Sequence, residues 1–368
     1  MPLQSKYPLC LLALLTIGAA AAPVTANSTE AQLLANPDFG PQPGKSSLFS
    51  TYYGLPPPFP ANVTVPIYPT KDGLPAPDDE LWQNLLAAEW IIFSFYQSGV
   101  EAFNTSSFTD IGFPNTTYQR IMEIRDNEAG HLRIFQNQIS ATSVKPGPCE
   151  YQFPFDTPTS FLALSTLIEI ASMAFLTGLV QEAQEDAAKG ALTAIGQVET
   201  RHETWVLLEA WGADPFSGPS DTAFPYAKEI LDITNEFVVR GSCPSVNPQY
   251  PYPSQDLPNM RLADGTTSVT PGSSILLNFT NPTNQPTFKA GTEYYAVFLH
   301  GITNISVPID TSCFPWKAIN VTIPRQFETK GVIIAVIADL EGAPTLESIV
   351  AGPTFLLEQP VALGTQVI

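Results

Sequence analysis

The chain has 368 residues and a formal net charge of -19, with a sequence pI near 4.4. That balance excludes the basic face on which nucleic-acid binding depends and describes a solvated acidic surface that keeps the protein in solution. The length favours two domains over one.

Residues 1–22 read as a secretory signal: Lys6, a short apolar run from Leu9 to Ile17, then the small residues Gly18 to Ala22. No later stretch is expected to reach the length of a transmembrane helix, and no C-terminal apolar tail of the lipid-anchor type is expected. The expected location is secreted or extracellular, with cell-wall association compatible. Asn-x-Ser/Thr sequons at Asn27, Asn62, Asn104, Asn115, Asn278, Asn304 and Asn320 fit a surface-glycosylated exported protein. Loss of the signal leaves Cys149, Cys243 and Cys313. Export favours a disulfide. Of the three pairings, Cys149–Cys243 is the expected one, because it would tie the middle of the helical region to its exit.

Residues 23–76 form a Pro-rich, irregular arm, with Pro41-Gln-Pro-Gly44 and Leu55-Pro-Pro-Pro-Phe-Pro60. Asp78-Asp-Glu80 then supplies acidic N-cap and first-turn residues. The first helix is expected from about Asp78 to Phe103. Its apolar stripe of Leu85, Ile92, Phe93, Tyr96 and Val100 contains one carboxylate, Glu89. After an exposed turn, a second helix runs from about Thr116 to Ser140. Its inner face carries Glu128 and His131 where apolar residues belong.

The stretch Val144 to Pro154 is Pro- and Gly-rich and extended. About fifteen such residues reach roughly 50 Å, the length of a bundle crossover. A third helix starts near Thr157 or Pro158, with Glu169 as the lone acid in Leu167-Ile-Glu-Ile-Ala171. A fourth, about Ala187 to Trp211, turns Ile195, Val198, Glu199, His202, Trp205 and Val206 inward and stops at Gly212-Ala-Asp-Pro215. A fifth, about Ala223 to Arg240, packs outside. The helical domain is thus expected over residues 77–244, a Pro-rich linker over 245–264, and a small antiparallel β-sandwich over 265–368. Its strands are expected at Ser274–Phe279, Tyr294–His300, Ala318–Ile323, Val332–Ala338 and Thr354–Glu358. His300 ends a strand with no second ligand at useful spacing and reads as structural.

A buried carboxylate is costly unless it is paired or bound to a metal. Here four helices each place one inside an apolar stripe. Two of the four carry Glu-x-x-His, Glu128/His131 and Glu199/His202, which sets both side chains on one face a turn apart. Two such motifs plus single glutamates from two further helices, Glu89 and Glu169, form the ligand set of a dinuclear four-helix bundle. Carboxylate-rich sites with two imidazoles suit iron or manganese better than copper or structural zinc.

These segments resemble the secreted fungal ferritin-like family of Rds-type stress-response and late-sexual-development proteins, kin to plant desiccation-related proteins. The resemblance is carried by Leu85-Leu-Ala-Ala-Glu89 with Phe95-Tyr96, by Glu128-Ala-Gly-His131, by Leu167-Ile-Glu169 and by Val198-Glu-Thr-Arg-His202. Ser242-Cys-Pro244 is similar as well. It implies an α+β multidomain chain, a ferritin-like bundle followed by the β-sandwich, with one dinuclear centre. Glu89 and Glu169 would be single-helix ligands, Glu128 and Glu199 bridging or near-bridging carboxylates, and His131 and His202 would each bind one of two iron or manganese ions.

Two functions follow as expectations. One is metal, O2 or peroxide chemistry in a secreted stress protein, with no catalytic residue assigned beyond the ligands. The other is a non-catalytic stress or wall-associated scaffold, its metal structural and its β-domain binding a glycan or a partner. A monomer or dimer is expected rather than a closed cage, since glycans and the N-terminal arm would obstruct a shell.

Overall fold

The computed structural model describes residues 65–213, 215, 234, 237–248, 257–263, 268–279, 281–315, 317–327 and 331–358. The signal segment 1–22, the arm before residue 65, and sequons Asn27 and Asn62 lie outside them. So does most of the expected fifth helix. Thr234 is helical, but Phe237 is in a turn and Val238 bridges to Tyr151, so that helix stops short of the expected Arg240.

The described chain is α+β. Helices α1 (Asp79–Ala102), α2 (Thr105–Thr109), α3 (Thr117–Gln138), α4 (Pro158–Leu179) and α5 (Asp186–Trp205) come first. α1 packs along α3, and α4 along α5. The short α2 sits in the turn between α1 and α3, where Asn104 caps it by accepting from the Ser107 backbone N–H at 3.1 Å. α4 begins with a capping box, Thr157 and Ser160 bonding reciprocally, and with Pro158 in its first turn.

α4 corrects one expectation. Its 22 residues are long and apolar enough to cross a membrane, yet it is mostly buried. It is apolar nearly all round because it is the inner helix of the bundle. The fourth helix also differs from the expected continuous run to Trp211. After Trp205 it widens into a π-helical turn, Val206–Ala210.

The acids before α1 act at a distance. The Asp78 carboxylate accepts from the backbone N–H groups of Gln184 and Glu185, at 2.8 and 3.0 Å, at the start of α5. Asp79 accepts from Ala76 N–H and, across the bundle, from Ser140 N–H, Ser140 Oγ and Ser143 Oγ. Burial works to raise the Asp79 pKa, but these hydrogen bonds outweigh it and hold the carboxyl below its ordinary value. The start of α1 is thereby fastened to the end of α3 and the start of α5.

The crossover between α3 and α4 is extended, as expected. Lys145 bridges to Ile67 and Tyr151 to Val238. A disulfide joins Cys149 to Cys243, and Cys313 is free and exposed. Phe153 and Phe155 meet Phe95 edge-to-face, and Phe155 also meets Phe103 and Phe161. Gly99 lies against this cluster: a Cβ there would come within 2.2 Å of the Phe161 ring. Gly99→Ala is therefore expected to overpack the core at a cost of about 1–3 kcal/mol, read as a lowered midpoint in urea unfolding.

Seven strands follow: β1 (Met260–Leu262), β2 (Ser274–Phe279), β3 (Tyr294–His300), β4 (Thr303–Ile309), β5 (Ile319–Thr322), β6 (Gly331–Ala338) and β7 (Ile349–Glu358). They form two antiparallel sheets, ordered β1-β2-β5 and β4-β3-β6-β7. β1 falls within the expected linker. β4 was not expected: it is a half-buried edge strand, and its Pro308 is tolerated because an edge leaves one side of the strand unpaired. β7 starts five residues before the expected Thr354.

Ile275, Leu277, Ile319 and Val321 of the smaller sheet share a core with Ala296, Phe298, Ile333, Ala335 and Ile337 of the larger. The alternate residues Val297, Leu299, Val332, Ile334 and Val336 belong to the same apolar cluster as the helices. Burial on both faces explains why β6 is apolar throughout instead of alternating.

Candidate metal centre

All six sequence-derived ligands are buried and meet inside the bundle. Each comes from a helix whose apolar stripe forces it inward: Glu89 from α1, Glu128 and His131 from α3, Glu169 from α4, Glu199 and His202 from α5. Two groups form, each with ligand atoms within 4.8 Å of one another. One is Glu89, Glu128, His131 and Glu199; the other is Glu128, Glu169, Glu199 and His202. Glu128 and Glu199 belong to both.

The imidazoles face these carboxylates through Nδ1. His131 Nδ1 lies 2.8 Å from Glu128 Oε2, 3.1 Å from Glu199 Oε1 and 3.6 Å from Glu89 Oε1. His202 Nδ1 lies 2.9 Å from Glu128 Oε1 and 3.4 Å from both Glu169 Oε2 and Glu199 Oε2. On its other side, His202 Nε2 is 3.1 Å from Asn127 Oδ1. An Nε2–H donating to that oxygen leaves the Nδ1 lone pair directed at the centre.

The donor set fits a metal pair. Glu89 Oε1, Glu128 Oε1, Glu169 Oε2, both Glu199 oxygens and His202 Nδ1 are buried and, among the described residues, find no hydrogen-bond partner outside these two groups. Buried polar atoms are otherwise almost always satisfied. Four carboxylates carry the charge that two divalent cations would balance.

Glu169 is further held by the buried Tyr96 hydroxyl, which donates to Glu169 Oε1 and lies 3.4 Å from Ser165 Oγ. Burial, then the Glu169 charge, raises the Tyr96 pKa well above its ordinary value, so this proton stays in place. Trp211 Nε1 donates to Thr166 Oγ1 at 2.8 Å, closing the same end of α4. Asn127 carried no signal in the sequence; it stands beside Glu128, and only the register between α3 and α5 brings it to His202. Arg125 is buried and bonds Asp126 and Gln97, whereas Arg201 is exposed.

Packed together without metal, the buried carboxylates and imidazoles shift one another's proton affinities. Burial and then the Glu128 charge push Glu89 well above the usual carboxylate range. Burial pushes Glu169 up likewise, against the opposing pull of His202. Burial also acts to raise Glu128, but His131 and His202 outweigh it and hold it low. At Glu199, burial and the Glu128 charge are overcome by contacts with both imidazoles, and its pKa falls. Burial opposes charge on His131 and His202, yet their carboxylate neighbours raise both well above the ordinary imidazole value.

The raised values at Glu89, Glu169 and both histidines favour their protonated forms, so metal and protons compete for the same atoms. Loading divalent ions is expected to release protons. Affinity then falls steeply as pH drops, because protons compete for the same atoms. Titration of metal into weakly buffered protein with a pH indicator measures both effects.

Residues 78–208 match the family model of the ferritin-like domain, a span that contains all six candidate ligands. The chain is also similar to Protein rds1 of Schizosaccharomyces pombe, at 24% identity over 232 residues, 62% of this chain and 54% of that protein. It spans about half the length of that curated relative.

Proposed function

Since this chain carries a ferritin-like domain of the fungal Rds type, we propose that it is a secreted glycoprotein whose bundle holds two iron or manganese ions for stress-related metal, peroxide or O2 chemistry. The observation that carries the reading is the pair of buried four-residue groups sharing Glu128 and Glu199. In them Glu128 and Glu199 would bridge the ions, Glu89 and Glu169 would each hold one, and His131 and His202 would complete the two positions. Bound there, two such ions would supply one-electron transfer to O2 or a peroxide, with ferrous ion or another added reductant as the electron source. The chain's own contribution is a dry, charge-balanced site: Tyr96 fixes Glu169, Asn127 fixes His202, and the apolar walls exclude water.

The secreted, glycosylated part of the proposal rests on the sequence and on exposure. Asn104, Asn115, Asn278, Asn304 and Asn320 all lie on the surface.

Metal analysis by mass spectrometry, on protein purified from its secretion route without chelators, tests the reading. About two iron or manganese ions per chain are expected, followed by consumption of peroxide or O2 on addition of reductant or ferrous ion. Absence of metal even after anaerobic loading would overturn it. Stoichiometric metal without turnover would favour the scaffold reading instead, in which the ions only hold the helices together.

A further inference from the structure

The two halves of the centre are related by sequence position but are not equivalent. The residue before the first Glu-x-x-His motif is Asn127; the residue before the second is Val198. Asn127 Oδ1 is 3.1 Å from His202 Nε2. The valine side chain has no acceptor to offer in return, and among the described residues His131 has contacts only through Nδ1 and its ring.

The single-helix carboxylates differ in the same direction. Glu169 receives the Tyr96 hydroxyl, whose neighbour is Ser165. Each carboxylate has one oxygen without a partner outside the centre, Glu169 Oε2 and Glu89 Oε1, and among the described residues a hydroxyl is bonded to Glu169 but not to Glu89. The stripe around Glu89, with Leu85, Leu86, Ile92 and Phe93, is apolar. The His202 side chain is 10% accessible and that of His131 4%, while Glu169 is 0% and Glu89 3% accessible.

We infer that the two metal positions fill in order, that of Glu169 and His202 first, and that Asn127 is the positioning residue that sets this order. The inference rests on the dinuclear reading above. Anchoring the far nitrogen of His202 holds the ring at its ligating angle before metal arrives and fixes its proton on Nε2. A hydrogen-bonded partner of this kind changes metal affinity by about 10–100-fold. His131 has no such anchor and must be oriented by the metal itself. Once one ion sits against Glu128 and Glu199, the charge left for the second is smaller, which widens the gap between the steps.

The test is anaerobic titration with Mn(II), followed by calorimetry and by electron paramagnetic resonance. In the unmodified protein a mononuclear Mn(II) signal should grow to one equivalent and then decline as coupled pairs form, with two resolved binding steps. Asn127→Val should weaken the first step about tenfold or more and leave the second nearly unchanged, so that coupled pairs appear from the first additions. Asn127→Asp, which keeps an acceptor, should restore the order. Circular dichroism melting establishes that the variants fold.

A second pair of variants gives the same answer independently. His131→Ala should retain the tight first step, and His202→Ala should lose it. Two equal steps in the unmodified protein, an unaltered first step in Asn127→Val, or a tight first step that survives His202→Ala would each overturn the loading order while leaving the dinuclear site intact. Failure to bind any ion would overturn both.

Discussion

Alanine at both Glu128 and Glu199 is expected to leave the chain without bound metal, where the unmodified protein carries about two ions. These two side chains are shared by both four-residue groups, so their loss removes half the donors of each position at once. If a complete four-ligand divalent site supplies on the order of 10 kcal/mol, losing half of it weakens binding by roughly a thousandfold or more. Single replacement of Glu89 or Glu169 behaves differently. Each belongs to one group, so each variant should keep one ion and lose the other.

Volume is the confounding factor, because alanine at two fully buried sites also leaves a cavity. The Glu128→Gln/Glu199→Gln pair preserves size and removes the charge. It should bind no metal either, while melting cooperatively. Metal content by mass spectrometry, beside thermal melts of all four variants, separates loss of ligands from loss of fold. Retention of two ions by the glutamine pair would rule out the bridging assignment.

The second large effect concerns the Cys149–Cys243 disulfide. It closes a loop spanning 94 residues that contains α4 and α5. In the chain-entropy account, a loop of that length lowers the freedom of the unfolded state by about 4–5 kcal/mol. A Cys149→Ser/Cys243→Ser variant should therefore lose stability of that order, and its melting temperature should drop by about 10–15 °C for a domain of this size. Metal stoichiometry should not change, because neither cysteine belongs to the ligand groups. Equal melting temperatures for the two proteins under oxidising conditions would remove the disulfide from any account of how the bundle is held.

The helices were legible because each buries a face with the helical period. An acid inside such a stripe is conspicuous: Glu89, Glu128, Glu169 and Glu199 stood out on that ground, and the two histidines followed by spacing. Groups that act between elements were not legible. Asp78 reads as a local cap, yet it bonds the start of α5 across the bundle. Asn127 reads as a polar residue on a helix flank, and its meeting with His202 depends on the relative register of two helices. In the β region, strands buried on one or both faces announced themselves by β-branched runs. β4 did not, because an edge strand needs little burial and can carry Pro308. β1, three residues long, is too short for alternation to register.

The apolar cluster that runs from the helices onto the larger sheet bears on how this protein comes apart. Val297, Val332, Ile334 and Phe355 lie at most 1% exposed in that shared cluster. A fragment ending near Pro244 would leave that surface wet on one side, and a fragment beginning near Pro258 would leave it wet on the other. Calorimetry should then record one endotherm for the intact chain, and a protease nick between the halves should yield a complex that stays together rather than two independent modules.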